Sequence, residues 1–399
     1  MNTLETKDIV IISAVRTPIG KFGGTLRDVP VHDLGAHAMK HALARVGLKG
    51  ADVGQVVFGQ CRQAGNGPNP ARTAAVRAGI PFEVPVNTIN MACVAGMRTV
   101  ALAAQAIQTG ESEIVMAGGM DSMSTIPYLL KGARWAGFRM GPRTLEDGWS
   151  DSIDPLTGLG MGQAAENLVE KYRIPREEMD YFALSSHRKA SEARRNGFFK
   201  DEIAPFTIPA SDERAEICLD TDEVIREDTS MEKLAKLPPV FKEGGQITAG
   251  NSSAMADGAA ALIVASRRKA QALGTKPLFS VVAHSIIGCD PFYTGEGPAF
   301  AVRKILGDTR LSLADIDLFE INEAFAAQVL ANLRLVKIDP EKLNVHGGSI
   351  ALGHPVGMTG ARIVITLYNA LKARDKELGL AAVPAGGGVA SAMIIRREN

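Results

Sequence analysis

The sequence predicts an α/β protein built from a duplicated unit, and three observations predict it. Short apolar runs of strand length alternate with runs of helical spacing through most of the 399 residues. One order (strand, helix, strand, helix, and a strand ending in a glycine cluster) occurs twice. Leu48–Gln60 parallels Leu311–Asn322, and Ile114–Met123 resembles Ala381–Ile395. Between the copies, from about 124 to 250, the texture turns polar and irregular, which reads as an inserted, largely helical segment.

Asp8–Ala14 is a buried strand, broken by Arg16-Thr17-Pro18-Ile19-Gly20. Val31–Val46 has helical spacing and stops near Gly47. His37 and His41 share a helix face there, but no third ligand accompanies them, and no metal is expected. Val53–Phe58 is a strand and Asn69–Ala78 a helix. An apolar run containing Val84, Val86 and Ile89 then leads through Cys93 into an Ala-rich helix that Gly110 stops. Most of that helix's circumference is apolar, so it is expected inside the domain. Ile114–Ala117 is a further strand. In the insert, Ser124–Gly162 lacks periodicity, Asn167–Gly197 is helical and heavily charged, and Asp201–Lys236 holds short β-like pieces. Regular texture resumes at Asp257–Ala265. Leu278–His284 is a strand, Gly297–Leu306 a helix, and Asn344–Leu371 a Gly-rich loop followed by an apolar helix. Two such units packed helix on helix give stacked sheets with buried helices between them.

Composition narrows the function. Lys+Arg and Asp+Glu are 44 each, so net charge is zero, which argues against nucleic acid or an anionic membrane as the main partner. The four cysteines (Cys61, Cys93, Cys218, Cys289) form no CxxC pair, which fits a reduced, cytoplasmic setting. No apolar run is long enough for a membrane span, and the N-terminus lacks a secretory pattern.

Four stretches carry chemistry. Cys93 stands where a strand hands over to a buried helix, and the positive end of that helix favours thiolate, the nucleophilic form. The alternative is one more small buried hydrophobe. Asn322-Glu323-Ala324-Phe325 follows the strand DLFEI, at the strand end where α/β sites collect. His346–Gly360 carries five glycines, and His354, between Gly353 and Pro355, is a candidate base. Gly386-Gly387-Gly388 could present N–H groups to an oxyanion. A Gly-His-Pro turn or a Gly triplet alone would be structural; the set in this order points to an enzyme with a cysteine nucleophile and a histidine base.

From about Asp8 to Ile395 the chain resembles the thiolases, the acyl-CoA C-acyltransferases. The stretches that carry the resemblance are RTPIGKFGG (Arg16–Gly24), the Cys93 segment, MGQAAEN (Met161–Asn167), TAGNSSAMADGAAA (Thr248–Ala261), NEAFAAQ (Asn322–Gln328) and GGSIALGHPVGMTGAR (Gly347–Arg362). The resemblance implies a five-layer αβαβα core of two βαβαβαββ halves, residues 1–123 plus 251–274 and 275–399. A loop domain, residues 124–250, would cover coenzyme A. It implies a dimer or tetramer, no permanently bound cofactor, and coenzyme A or acyl-CoA as substrate. Cys93 would take the acyl group from a thioester. His354 would activate Cys93 and help hold a thioester oxygen. Asn322 would position an oxyanion-hole water, and the N–H groups of Cys93 and Gly386 would form the second hole. Ser253 matches a position near the pantetheine arm, and Arg226 and Phe241 match loop-domain positions near the nucleotide. Phe325 would line the acyl pocket, and Met161 is a further candidate for binding substrate or coenzyme A.

The family pattern Cys-x-Gly-Gly-Gly reads Pro384-Ala385-Gly386-Gly387-Gly388 here, so the second catalytic cysteine of that pattern is replaced. Val94 follows Cys93 where Ser or Gly is frequent, and Gly160 stands where some short-chain members carry histidine. His346 is a candidate substitute for the missing acid/base. The function expected is acyl transfer through an acyl-Cys93. The alternatives are acyl transfer or hydrolysis without Claisen condensation, and a non-catalytic coenzyme A-binding subunit.

Overall fold

A computed structural model describes residues 9–138, 140–149, 153–210 and 215–398. In chain order the first half is β1 (Ile9–Arg16), α1 (Val31–Arg45), β2 (Gln55–Gly59), α2 (Pro70–Arg77), β3 (Val86–Ile89), α3 (Ala95–Gln108) and β4 (Ile114–Ser122). The insert contributes α4 (Met161–Tyr172) and α5 (Arg176–Arg195) among shorter pieces, and the chain returns as β5 (Ala256–Ser266). The second half is β6 (Phe279–Gly288), α6 (Gly297–Thr309), β7 (Leu318–Ile321), α7 (Ala326–Leu335), α8 (Val356–Ala373), β8 (Leu378–Ala385) and β9 (Val389–Arg397).

The duplication is visible in the pairing. In the first half β1–β5 and β5–β4 are antiparallel, and β4–β2 and β2–β3 are parallel. In the second, β6–β9 and β9–β8 are antiparallel and β8–β7 is parallel. A single parallel bridge, Phe319 to Leu343, takes the place of β3. Register shifts in the same place in both first strands, between Ile11 and Ser13 and between Val281 and Ala283. The turns before β2 and β7 are capped alike: Lys49 N–H donates to Asp52 and Ser312 N–H to Asp315, each at 2.7 Å. The two sheets are not separate. β1 and β6 pair edge to edge at Val10–Ser280 and Ile11–Phe279, which joins them into one ten-stranded sheet, the tenth strand being the short Gly20–Lys21 beside β5.

Side-chain alternation makes the layers. Along β1, Ile9 and Ile11 face the middle layer while Val10 and Ile12 face α1. Along β8, Val383 and Ala385 face the middle while Leu380 and Ala382 face α6 and α7. The middle layer is α3 against α8, through Met97, Val100, Ala104, Ile363, Val364 and Leu367. Both helices are therefore shielded from water by a sheet on each side, as their nearly uniform apolar surfaces require.

Two details depart from the sequence reading. Asn167–Gly197 is not one helical run. Pro175 disfavours helix at the residue before it, Arg173 turns left-handed (φ 49°), and α4 and α5 separate there. The strand equivalent to β4 is β8, and the glycine cluster that follows it is a tight turn, with Ala385 paired to Val389. The first half carries its long insert at that same point, between β4 and β5.

The insert is pinned to the core by a buried charge network. Arg16, at the end of β1, is fully buried. It donates to both oxygens of Asp222 (2.7 and 2.9 Å) and to Glu202 (2.7 Å). Arg16→Met would leave two buried carboxylates without their countercharge. The expected loss is about 3–5 kcal/mol, read as a lower urea midpoint at unchanged slope.

Candidate active site

Cys93 is positioned by backbone rather than by helix. β3 ends at Ile89, and the chain turns through Asn90-Met91-Ala92 before α3 begins at Ala95. Ala92 holds φ 47°, a left-handed conformation uncommon for a residue with a Cβ. Asn90 supports it: its Oδ1 accepts Ala92 N–H at 3.1 Å and its Nδ2 donates to Cys61 O at 3.2 Å. His354 comes from the other half, just before Pro355 caps α8, and its N–H donates to Ala254 O at 3.0 Å. Glycines bring the two helix starts together. A Cβ on Gly96 would lie 2.7 Å from Ala361 N, and one on Gly360 would lie 2.4 Å from Met97 N, so only glycine permits this crossing.

The result is direct contact: His354 Nε2 lies 3.2 Å from Cys93 Sγ. The hydrogen-bond pattern fixes the tautomer. Thr359 Oγ1 donates its one hydrogen to Pro355 O at 2.8 Å, so it must accept from His354 Nδ1–H at 2.7 Å. That leaves Nε2 as the lone-pair acceptor facing the thiol.

Burial overrides the expectation of a resting thiolate. It pushes the Cys93 thiol up to about 12, against the charge of Arg62 and the N–H groups of Cys93 and Gly386, which favour the anion. Burial likewise pushes His354 down to about 3, helped by the charges of Arg362 and Arg62. The pair rests as neutral thiol and neutral imidazole. Asp121, also buried, accepts N–H from Cys61, Arg62 and Gly357, yet burial raises it to about 6.

Among the other predicted residues, Gly386 and Met161 adjoin this pair, and the rest take the places that follow. Gly386 N–H faces the Cys93 sulfur. Met161 Sδ packs on Gly386, where an added Cβ would lie 3.1 Å from it. Phe241 and Phe325 meet edge to face at 5.8 Å between ring centres, and Phe241 lies against Gly162. Asn322, at the end of β7, is buried, and its Nδ2 has no partner among the described residues. A narrow enclosed pocket lined by His187, Arg226, Thr229, Leu234, Ser252, Ala254 and Ile350 connects the insert to Ala254, whose carbonyl holds His354. Ser253 sits between two of the lining residues, its N–H donating to Ala324 O. Pro384 lies in β8 opposite Ala390, two residues before Gly386.

His346 is not part of the cluster. Its ring stacks on Phe198 at 3.6 Å, and the charges acting on it are Arg374 and Lys189. Arg374 caps the C-terminal end of α8, whereas His354 stands at the N-terminal end. The reading of His346 as a substitute acid/base is therefore corrected: an aromatic partner from the insert, not the thiol, takes its ring. The rings of His37 and His41 meet at a tilt with 4.3 Å between centres, and no group of three or more His, Cys, Asp or Glu that could hold a metal occurs among the described residues.

Sequence reasoning missed Thr359, which fixes the His354 tautomer, and Asp121. The signal for Thr359 was a hydroxyl in the first turn of the helix that follows His-Pro.

Comparison with known proteins agrees with this architecture. Residues 9–268 match the family described as "Thiolase, N-terminal domain" and residues 275–397 match "Thiolase, C-terminal domain". A Staphylococcus aureus protein named "Probable acetyl-CoA acyltransferase" is 45% identical over 391 residues, 98% of this chain and 99% of the relative. The crystal structure of the Bacillus anthracis acetyl-CoA acetyltransferase superposes with a TM-score of 0.95 at 45% identity, covering 98% of this chain and 99% of that one. Human mitochondrial 3-ketoacyl-CoA thiolase does so with a TM-score of 0.94 at 38% identity and the same coverage. Matched over both halves by family, sequence and structure, the chain belongs to the thiolase family.

Proposed function

We propose that this chain is an acyl-CoA C-acyltransferase that carries the acyl group on Cys93. The observation that carries the reading is the 3.2 Å contact between Cys93 Sγ and a His354 Nε2 whose tautomer Thr359 fixes. His354 takes the thiol proton as sulfur attacks a thioester or 3-keto carbonyl. Both partners start neutral, so proton transfer accompanies attack rather than preceding it. The N–H groups of Cys93 and Gly386 hold one oxyanion. Asn322 Nδ2, with His354, serves the other through a water. The acyl group then passes to coenzyme A or to a carbon nucleophile. Coenzyme A is a substrate, not a resident cofactor.

The insert, residues 124–250, acts as the coenzyme A cover, with Arg226 and Phe241 near the nucleotide and Ser253 along the pantetheine arm. Phe325 and Met161 bound the acyl pocket. Residues 1–123 plus 251–274, and 275–399, form the two catalytic halves. The working form is a cytoplasmic homo-oligomer, dimer or tetramer, without nucleic acid or membrane partners.

Pro384 favours a second reading of the acceptor step. It stands at the family's second-cysteine position, and a proline ring has no proton to exchange. The chain then acylates Cys93 but performs Claisen chemistry poorly, passing the group to an activated carbon acceptor or to water.

The test is acid-quenched mass spectrometry after mixing with acetyl-CoA, whose attack by Cys93 breaks no carbon–carbon bond. An acetyl adduct on Cys93 is expected within milliseconds to seconds, and none in Cys93→Ala. No adduct with any acyl-CoA would overturn the reading in favour of a non-catalytic coenzyme A-binding subunit.

A further inference from the structure

Which end of the Asn322 amide faces the site follows from hydrogen-bond chemistry. Arg362 Nη2 donates to Ser349 Oγ at 2.7 Å, and a guanidinium can only donate. The Ser349 hydroxyl therefore keeps its single hydrogen for Asn322 Oδ1, 2.6 Å away. Nδ2 is the opposite end of the amide. It is the end left buried and without a partner among the described residues, in a side chain only 1% exposed.

Arg362 is itself held in the core. It lies on α8, fully buried, two turns after His354. Its Nη1 is 4.0 Å from Glu320 Oε2. Glu320 belongs to β7, the strand that ends in Asn322, so the four residues close a loop: Glu320, Arg362, Ser349, Asn322. Ser349 opens the one-turn helix Ser349–Leu352 that precedes His354. Each end of this chain of contacts is thus anchored to an element of the catalytic site.

We infer that Ser349, oriented by Arg362, is a positioning residue that aims Asn322 Nδ2 at the thioester oxygen or its bound water. The inference rests on the oxyanion role proposed for Asn322. Without Ser349 the amide loses the acceptor interaction that distinguishes its two ends, and it can rotate to present Oδ1, which repels an oxyanion.

The experiment measures two rates on Cys93 for each variant: acylation by acetyl-CoA, followed by rapid quench and mass, and alkylation by iodoacetamide. Alkylation uses the same thiol and base but has no thioester oxygen. In Ser349→Ala, acylation is expected to fall about tenfold, the scale of one hydrogen bond, with alkylation unchanged. In Asn322→Ala acylation falls further, and adding Ser349→Ala to it changes nothing more, because the residue it orients is gone. Ser349→Cys, with a weaker donor of similar size, falls between wild type and Ser349→Ala, and it serves if the alanine variant does not fold. A slow Asn322→Ala beside a wild-type Ser349→Ala overturns this inference alone. A wild-type Asn322→Ala overturns the oxyanion role and the inference with it. Equal loss of acylation and alkylation in Ser349→Ala means general damage to the site, and likewise overturns it.

Discussion

His354→Ala slows acylation of Cys93 by about 10²–10⁴-fold, the usual contribution of a positioned general base. The size follows from the resting state. A thiol held near 12 has almost no anion at neutral pH, so attack depends on a base already in contact, at 3.2 Å. Stopped-flow acylation by acetyl-CoA, with unfolding curves as a control, measures it. A loss under tenfold would mean that another group takes the proton. The same geometry sets the pH profile. His354, held near 3, stays a free base through the neutral range, so wild-type acylation is level from about pH 6 to 9. An exposed thiol with its ordinary value of about 8.5 would instead gain tenfold per unit below that value. Loss on the acid side comes from unfolding. His354 near 3, and His187 and the half-buried His346 near 4, are neutral, all held below the ordinary value of about 6.5 by desolvation. The unfolded chain then binds more protons, so stability is complete above about 6.5 and falls as pH drops from there toward about 4.

Much of this was legible because it is local. The strand-to-helix handover at Cys93, the Gly-His-Pro turn at His354 and the repeated order of elements are all patterns within a few tens of residues. Periodicity also gave the correct prediction that two apolar helices lie between sheets. What failed depends on contacts that no window of sequence contains. The protonation of Cys93 is decided by the desolvation of a partly buried thiol, which overrides the helix-end effect that the sequence suggests. His346 is next to a catalytic loop in sequence, but Phe198, from the insert, holds its ring. Thr359 and Ser349 read as unremarkable hydroxyls until α8 and its preceding turn set them against His354 and Asn322. The pinning of the insert by Arg16 likewise joins residues from β1 and from beyond α5.

Pro384→Cys raises thiolysis of acetoacetyl-CoA by about 10²-fold or more, from a wild-type rate near the Cys93→Ala background. Thiolysis asks for two things. Cys93 attacks the 3-keto carbon, and as the bond between the α- and β-carbons breaks, the departing α-carbon needs a proton. The first requires the Cys93–His354 pair, which is in contact; the second, on the proposed reading of Pro384, requires an acid where that proline stands. The backbone tolerates the change. β8 pairs with β7 only as far as Ala382, whose carbonyl accepts Asn322 N–H. N–H groups of a strand alternate sides, so the N–H absent at 384 faces the side where β7 has already ended, and no ladder bond depends on it. Restoring the thiol therefore adds an acid/base at little cost to the fold. Acylation of Cys93 should be nearly the same in both proteins, which separates the two steps. The opposite result is equally clear. Wild-type thiolysis already near 10 per second, dependent on Cys93 and unimproved by Pro384→Cys, would mean that another group protonates the α-carbon and that the proline does not limit carbon–carbon chemistry.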